Sequence, residues 1–324
     1  MKNKVVFIIP YFGNLPNYFQ LWVMSAAANS EFDFIVYTDA DVEKYEDRYE
    51  NVSFKKTSFR DFSNTLKSVF EFKVVLDYPY KLCDYKPVYG EALAGDISGY
   101  DFWGYCDVDL ILGDLKHFIN DEILDKFDKV YNLGHMTLYR NTARINNLYR
   151  INHNFKDCFS YKYVYQTNFS TAYDEIGTKY GFGLSVICER IGIKNYISLD
   201  FADVLPDSYE FELAYTAGEK IDYFVYKSGK VFGIRKNNRK EFAYIHLQKR
   251  KLEIRNFEDN KQYYISPAGF RENLQEVKED INSVEFKKSF NKAKLSRKLK
   301  SKIKKIKQGA IIHLVNRTIG KINI

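Results

Sequence analysis

Apolar positions fall in short runs through the first hundred residues. Val5-Val6-Phe7-Ile8-Ile9 is an unbroken run that stops at Pro10, the pattern of a strand covered on both faces. Residues Leu15 to Ala28 carry apolar side chains at helical spacing, with Pro16 near the first turn. Phe32 to Tyr37 reads as a second strand ending at Thr38-Asp39, and Val52 to Lys56 as a third. Ser58 to Phe72 and Tyr85 to Ile97 read as helices, and Phe102 to Cys106 as another apolar strand. Strand and helix in alternation predict an α/β fold, a mostly parallel sheet with helices on both faces. In such a sheet the ligand sits outside the carboxyl ends of the strands. One rim would then hold Tyr11-Phe12-Gly13-Asn14, Thr38-Asp39 and Asp107-Val108-Asp109.

The middle of the chain is less regular. Lys129 to Leu133 reads as a strand, Tyr139 to Tyr149 as a helix and Phe182 to Arg190 as a helix. Tyr223 to Lys227 and Val231 to Arg235 flank Ser228-Gly229-Lys230, which predicts a hairpin. Glu241 to His246 reads as one more strand, and from about residue 270 the pattern becomes helical and basic.

The chain has 324 residues, 45% hydrophobic and 28% charged, which is globular composition. Charge is unevenly spread. Eleven Lys or Arg and no acid lie between Lys287 and Lys307, so the body is mildly acidic and the tail carries the basic character. Phe290, Leu295, Leu299, Ile303, Ile306 and Ala310 recur every three to five residues among those lysines, an amphipathic basic helix of the kind that lies on an anionic membrane. No nucleic-acid fold signature accompanies the charge, which argues against a nucleic-acid partner. No apolar stretch reaches the ~18 residues of a membrane span. Four cysteines without a CxxC pair, in a chain without a secretory leader, point to reduced thiols in the cytoplasm. An aromatic content of 17%, nearly all Tyr and Phe, fits an aromatic core and would also serve a sugar-handling cleft.

The chemistry centres on Tyr100 to Asp109, an apolar strand that runs into Asp107-Val108-Asp109. Two carboxylates one residue apart at a strand end can reach one hard cation and bridge it to phosphate oxygens. A leaving nucleoside diphosphate needs such a cation, because negative charge develops on it. An isolated Asp-x-Asp equally fits a loop that caps the next helix. Its place behind an apolar strand at the sheet rim favours the cation.

Four features in order resemble the GT-A glycosyltransferases, and among them the bacterial capsule and exopolysaccharide enzymes. They are the first strand with Tyr11-Phe12-Gly13-Asn14, the strand ending in Thr38-Asp39, Lys81 to Pro87 with a helix and then Asp107-Val108-Asp109, and Tyr244-Ile245-His246-Leu247-Gln248-Lys249. The resemblance covers roughly residues 3 to 255. It implies a GT-A catalytic domain over 1–255, and the spacing of apolar and basic residues adds a helical, basic, membrane-associating region over 256–324. It also implies Mn²⁺ or Mg²⁺ held by Asp107, Asp109 and His246. The donor, a UDP-linked hexose, would meet Tyr11, Gly13, Asn14, Asp39, Asp84, Lys86, Asp107, His135 and Lys249. The Gly and Pro-Trp that follow the His in glycogenin-like members are missing here, so subfamily and stereochemistry stay open. Asp174 and Glu175, beside Tyr173, are the candidate catalytic carboxylates, Asp174 slightly ahead; acidic residues at a helix start are the alternative reading.

The resulting expectation is a metal-dependent hexosyltransferase acting on a lipid-linked or growing polysaccharide for the capsule or cell surface. It would work in the cytoplasm, peripheral at the inner face of the plasma membrane. The alternative is a non-catalytic nucleotide- or glycan-binding module of a synthase complex. A nucleotidyltransferase would carry a basic, Gly-rich loop after the first strand, and Pro10 to Pro16 has no basic residue.

Overall fold

The computed structural model describes residues 1–248, 250–254, 262–299 and 303. The first seven strands of the chain are β1 (Val5–Tyr11), β2 (Phe32–Thr38), β3 (Val52–Lys56), β4 (Phe102–Cys106), β5 (Leu110–Leu112), β6 (Lys129–Leu133) and β7 (Met136–Arg140). All of these but β5, together with Asn195–Tyr196, form the seven-stranded central sheet. The sheet order is Asn195–Tyr196, β6, β7, β4, β1, β2, β3. β4, β1, β2 and β3 run parallel, and β7 alone is antiparallel to both its neighbours. The expected α/β architecture with a mostly parallel sheet is therefore present.

The unbroken apolar run of β1 is explained by its two covered faces. Val5, Phe7 and Ile9 enter one core, and Val6 and Ile8 the other. Helix α1 (Phe19–Ala27) covers the first face with Phe19, Trp22, Val23 and Ala26. Helix α2 (Phe59–Lys67) covers the second with Phe62 and Leu66, and its amino end is capped by Ser58, whose side chain accepts from the Asp61 amide. Tyr18 and Leu21, beside and on α1, reach a third core, so α1 lies between two layers.

That third core belongs to a five-stranded antiparallel sheet in the order Asn238–Phe242, Lys230–Arg235, Tyr223–Lys227, Gln262–Ile265, Phe270–Arg271. The predicted hairpin is there: Lys227 pairs Lys230 across Ser228-Gly229, both at positive φ (48° and 79°), the two-residue turn whose twist matches its strands. A smaller sheet joins Ala202–Asp203, Tyr244–His246 and β5.

Several elements differ from the sequence expectation. Tyr139 lies in β7, not in a helix, because it stacks on Trp103 of β4 at 5.0 Å; only Ala143–Asn146 and a short turn after it are helical. Tyr85 to Ile97 is a series of short helical turns, interrupted where Pro87 follows Lys86. The first helix begins at Phe19, four residues after Leu15. Glu241 to His246 divides at Ala243 between two sheets. The region after 255 is not wholly helical: Gln262–Ile265 and Phe270–Arg271 return to the antiparallel sheet, so this part of the chain packs with the body.

Residues 284–299 are helical. Phe290 packs on Tyr209, and Lys294 and Arg297 donate to the carbonyls of Asp207 and Pro206. Leu295 and Leu299 are left exposed, at 70% and 60%. The rest of the proposed amphipathic helix, apart from the exposed Ile303, lies outside the described residues. No described helix is long and apolar enough to cross a membrane.

Candidate functional site

β4 is buried along its whole length and delivers Asp107 and Asp109 to the sheet rim. Val108 is held in the core, while the two aspartates line a cleft. The Asp107 amide donates to the His135 carbonyl at 3.0 Å, which ties this rim to the β6–β7 turn. The chain then returns as β5, antiparallel to Tyr244–His246, with Leu110 opposite His246. The Leu247 amide donates to the Asp109 carbonyl at 3.0 Å. This pairing, between segments far apart in sequence, brings one ligand atom each from Asp107, Asp109 and His246 within 4.8 Å of one another. His246 Nε2 is 3.6 Å from Asp109 Oδ1.

The electrostatics are uneven. Burial, together with Asp107, pushes Asp109 up to about 6 against the pull of His246. Burial also opposes ionisation of Asp107, but the Lys86 ammonium together with His246 and His135 outweighs it and holds that carboxyl below its usual range. Burial opposes the His246 imidazolium; hydrogen bonding to Asp203 and the field of Asp109 outweigh it and raise His246. Asp109 Oδ1 is buried and makes no hydrogen bond. Two carboxylates and an imidazole with an orphaned oxygen among them are a donor set that suits Mn²⁺ or Mg²⁺, so these residues fit a divalent cation.

Lys86 is the hub of the adjoining wall. Its Nζ donates to Asp107 Oδ1 at 2.8 Å and to the Gly134 carbonyl at 2.6 Å, and lies 3.8 Å from Asp174 Oδ2. Asp174 is 1% exposed and neither carboxyl oxygen has a hydrogen-bond partner. Burial drives its carboxyl well above the carboxylate range despite Lys86. Glu175 is more open, and Oε2 accepts from the Gly134 amide at 3.3 Å; burial raises it as well. Gly134 makes room at this approach: a Cβ would lie 2.8 Å from Asp174 Oδ2 and would push that carboxyl aside. His135 is 6% exposed. Its Nδ1 shares a hydrogen bond with the Tyr244 hydroxyl at 3.0 Å, Nε2 has no partner, and burial with the neighbouring His246 pushes it down to about 3, so it stays neutral.

These groups line one cleft of about 710 Å³. It opens at the carboxyl ends of β1 and β4, where the strand order reverses direction, the usual ligand position in open α/β sheets. A family model matches residues 7–274, which include every residue of this cleft. The chain belongs to the family of unknown function DUF6625. No curated protein matches this DUF6625 chain. Among solved structures it is similar to the galactosyltransferase LgtC in complex with donor and acceptor sugar analogs: 13% identity, TM-score 0.35, covering 62% of this chain and 75% of that one. A second is the glycosyltransferase GlyE of Streptococcus pneumoniae TIGR4, with 9% identity, TM-score 0.32 and coverage of 61% and 45%. A third is a glycosyltransferase involved in glycosylation of the major capsid of PBCV-1, with 9% identity, TM-score 0.33 and coverage of 62% and 84%. The strand order and site geometry of the DUF6625 chain stand independently of those scores.

Of the residues singled out in the sequence, Tyr11, Lys86, Asp107, Asp109, His135, Asp174, Glu175 and His246 all line the cleft. Gly13, Asn14 and Asp39 are exposed and lie outside the cleft lining: the Gly13 amide donates to Asp39 Oδ1 at 2.9 Å, and the Tyr11 hydroxyl donates to the Asn14 carbonyl. Gly13 sits at φ +101°, which favours glycine there. Asp84 differs from its expected place at the donor. It is fully buried, accepts from the Thr171 amide and hydroxyl and the Tyr173 amide, and pairs with Lys81 Nζ at 2.7 Å. It fastens the segment that carries Asp174 and does not line the cleft. Lys249 lies outside the described residues.

Among the cleft residues that escaped sequence reasoning are Asp203 and Gln248. Asp203 Oδ1 accepts from His246 Nδ1 at 2.8 Å and from Gln248 Nε2 at 2.7 Å. The available signal was a lone acid inside the apolar run Phe201-Ala202-Asp203-Val204.

Proposed function

We propose that this protein is a metal-dependent glycosyltransferase that moves a hexose from a UDP-sugar to a glycan acceptor, with Asp107, Asp109 and His246 as the cation ligands. One observation carries the reading: the three side chains, distant in sequence, converge at the switch point of the sheet with a buried, unbonded carboxylate oxygen among them. A divalent cation held there would neutralise charge on a leaving diphosphate. Lys86 is positioned to add a second positive charge beside Asp107. His135, neutral and with Nε2 unpaired, offers a polar contact to donor oxygens. Tyr11, in the cleft wall, is assigned to the nucleoside, and Gly13, Asn14 and Asp39, next to it but outside the lining, would reach only a nucleoside that extends beyond the cleft.

For the carboxylate that acts on the acceptor or the sugar, Glu175 stands ahead of Asp174. A base must be ionised at working pH, and Asp174 is buried so completely that its neutral form is favoured. Asp174 serves better as a group that hydrogen-bonds a sugar hydroxyl. Exposed Leu295 and Leu299 among lysines support a peripheral contact with an anionic membrane. A lipid-linked acceptor of capsule or cell-surface synthesis fits that contact.

The test is calorimetric binding of UDP with and without Mn²⁺, on wild type and Asp109→Ala. The reading predicts binding that requires Mn²⁺ and is lost in the variant. Failure of UDP and other nucleoside diphosphates to bind with either metal would remove the transferase assignment.

A further inference from the structure

We propose that Asp203 is a positioning residue for the cation site: it holds His246 in the tautomer and orientation that turn Nε2 toward Asp109. This inference rests on the cation reading above.

His246 belongs to two groups of ligand atoms. One is Asp107, Asp109 and His246; the other, in the same cleft, is His135, Asp203 and His246. An imidazole presents one nitrogen in each direction, so something must decide which nitrogen meets the cation. An ionised carboxylate only accepts hydrogen bonds. Asp203 Oδ1 lies 2.8 Å from Nδ1, so Nδ1 carries the proton and donates. The lone pair of the neutral ring is then on Nε2, the nitrogen 3.6 Å from Asp109 Oδ1.

The arrangement is built into the backbone. Asp203 and His246 are direct partners in a parallel strand pair, and the Val204 amide donates to the His246 carbonyl at 3.1 Å. Asp203 is only 5% exposed. Gln248, at φ +53°, turns the chain so that its amide Nε2 donates to the same Oδ1 at 2.7 Å. The oxygen is thus held from two sides. Such a carboxylate behind a ligating histidine typically contributes 10- to 100-fold in metal affinity. The same bond occupies Nδ1, which keeps that nitrogen from serving a cation held by His135 and Asp203.

Mn²⁺ alone, titrated into the full chain by calorimetry, is the probe; no donor or acceptor is needed. Asp203→Ala is expected to weaken Mn²⁺ binding about 10- to 100-fold, and Asp203→Asn, which keeps an acceptor oxygen, by less. Because Asp203 acts through His246, adding Asp203→Ala to His246→Ala should weaken binding no further. ¹⁵N resonances of the His246 ring at alkaline pH should show a single Nδ1-protonated tautomer in wild type and a mixture in Asp203→Ala. Two outcomes overturn the proposal with the cation site intact: unchanged Mn²⁺ affinity in a folded Asp203→Ala, or equal loss with and without His246. Absence of Mn²⁺ binding by wild type overturns it together with the cation reading. If Asp203→Ala does not fold, the wild-type tautomer and the Asp203→Asn affinity decide.

Discussion

Two buried charged clusters lie a few residues apart in the chain, and they are built in opposite ways. Around Lys81 and Asp84, both fully buried, every group is used. Lys81 Nζ bonds Asp84 and the carbonyls of Val164 and Phe169, and Asp84 takes the Thr171 amide and hydroxyl and the Tyr173 amide. Around Lys86 the polar groups are left over. Asp109 Oδ1, both oxygens of Asp174 and His135 Nε2 are buried without hydrogen bonds. Burying a polar atom without a partner costs roughly 1–3 kcal/mol. A saturated cluster is therefore a fastening, and an unsaturated one at a cleft wall is a receptor for something else. The fastening supports the receptor, because the segment that Asp84 ties down continues directly into Asp174.

The largest expected effect tests the fastening. Asp84→Ala leaves Lys81 charged and buried without its partner, and should lower unfolding free energy by about 3–5 kcal/mol in urea titrations. A loss under about 1 kcal/mol would show that the pair is dispensable and blur the contrast.

The mirror experiment is Asp109→Ala. Removing a buried carboxyl with an unbonded oxygen should leave the thermal midpoint unchanged or raised, while Mn²⁺-dependent UDP binding falls by more than about 100-fold, or roughly 2.7 kcal/mol. A variant that loses stability and keeps UDP binding would place Asp109 with the fastenings.

Lys129 offers an intermediate case. It is fully buried, bonds the Tyr131 carbonyl and Ser185 Oγ, and has no carboxylate at ion-pair distance among the described residues. Burial pushes it down to about 8 from 10.5. Its folded pKa lies below the unfolded one, so the unfolded state binds more protons between about 8 and 10.5, and stability conferred at this site rises with pH across that window. Lys129→Met should stabilise the protein near neutrality by about 1–2 kcal/mol. That advantage should shrink as pH climbs from 8 to 10.5, followed by chemical denaturation at a series of pH values. A constant difference would mean that Lys129 does not titrate there.

The smallest effect sets the scale for a satisfied surface group. Ser58→Ala removes the α2 cap and should cost about 1 kcal/mol, with UDP binding unaltered. A larger loss of binding than of stability would link α2 to the cleft.

The fold was legible where periodicity acts locally. The five-residue run of β1, the alternation through β4 and the Ser228-Gly229 hairpin each follow from patterns a few residues long. The errors came where contacts distant in sequence decide. Tyr139 carries helical neighbours but stacks on Trp103 across the sheet. Glu241 to His246 reads as one strand, yet its two halves pair with different sheets. Asp84 shows the same limit at the site. A short polar residue before Lys86 looks like a ligand contact until its partners, nearly ninety positions later, are known.

What the sequence by itself determined is the α/β order, the strand that ends in Asp107 and Asp109, and the basic tail, because each depends on the spacing of apolar and charged residues along one segment. Only the tertiary structure decided that His246 faces Asp109, that Asp203 stands behind it, and that Asp174 is too deeply buried to ionise readily. Those properties are set by strand register and burial, which arise between segments and leave no periodic trace within any one of them.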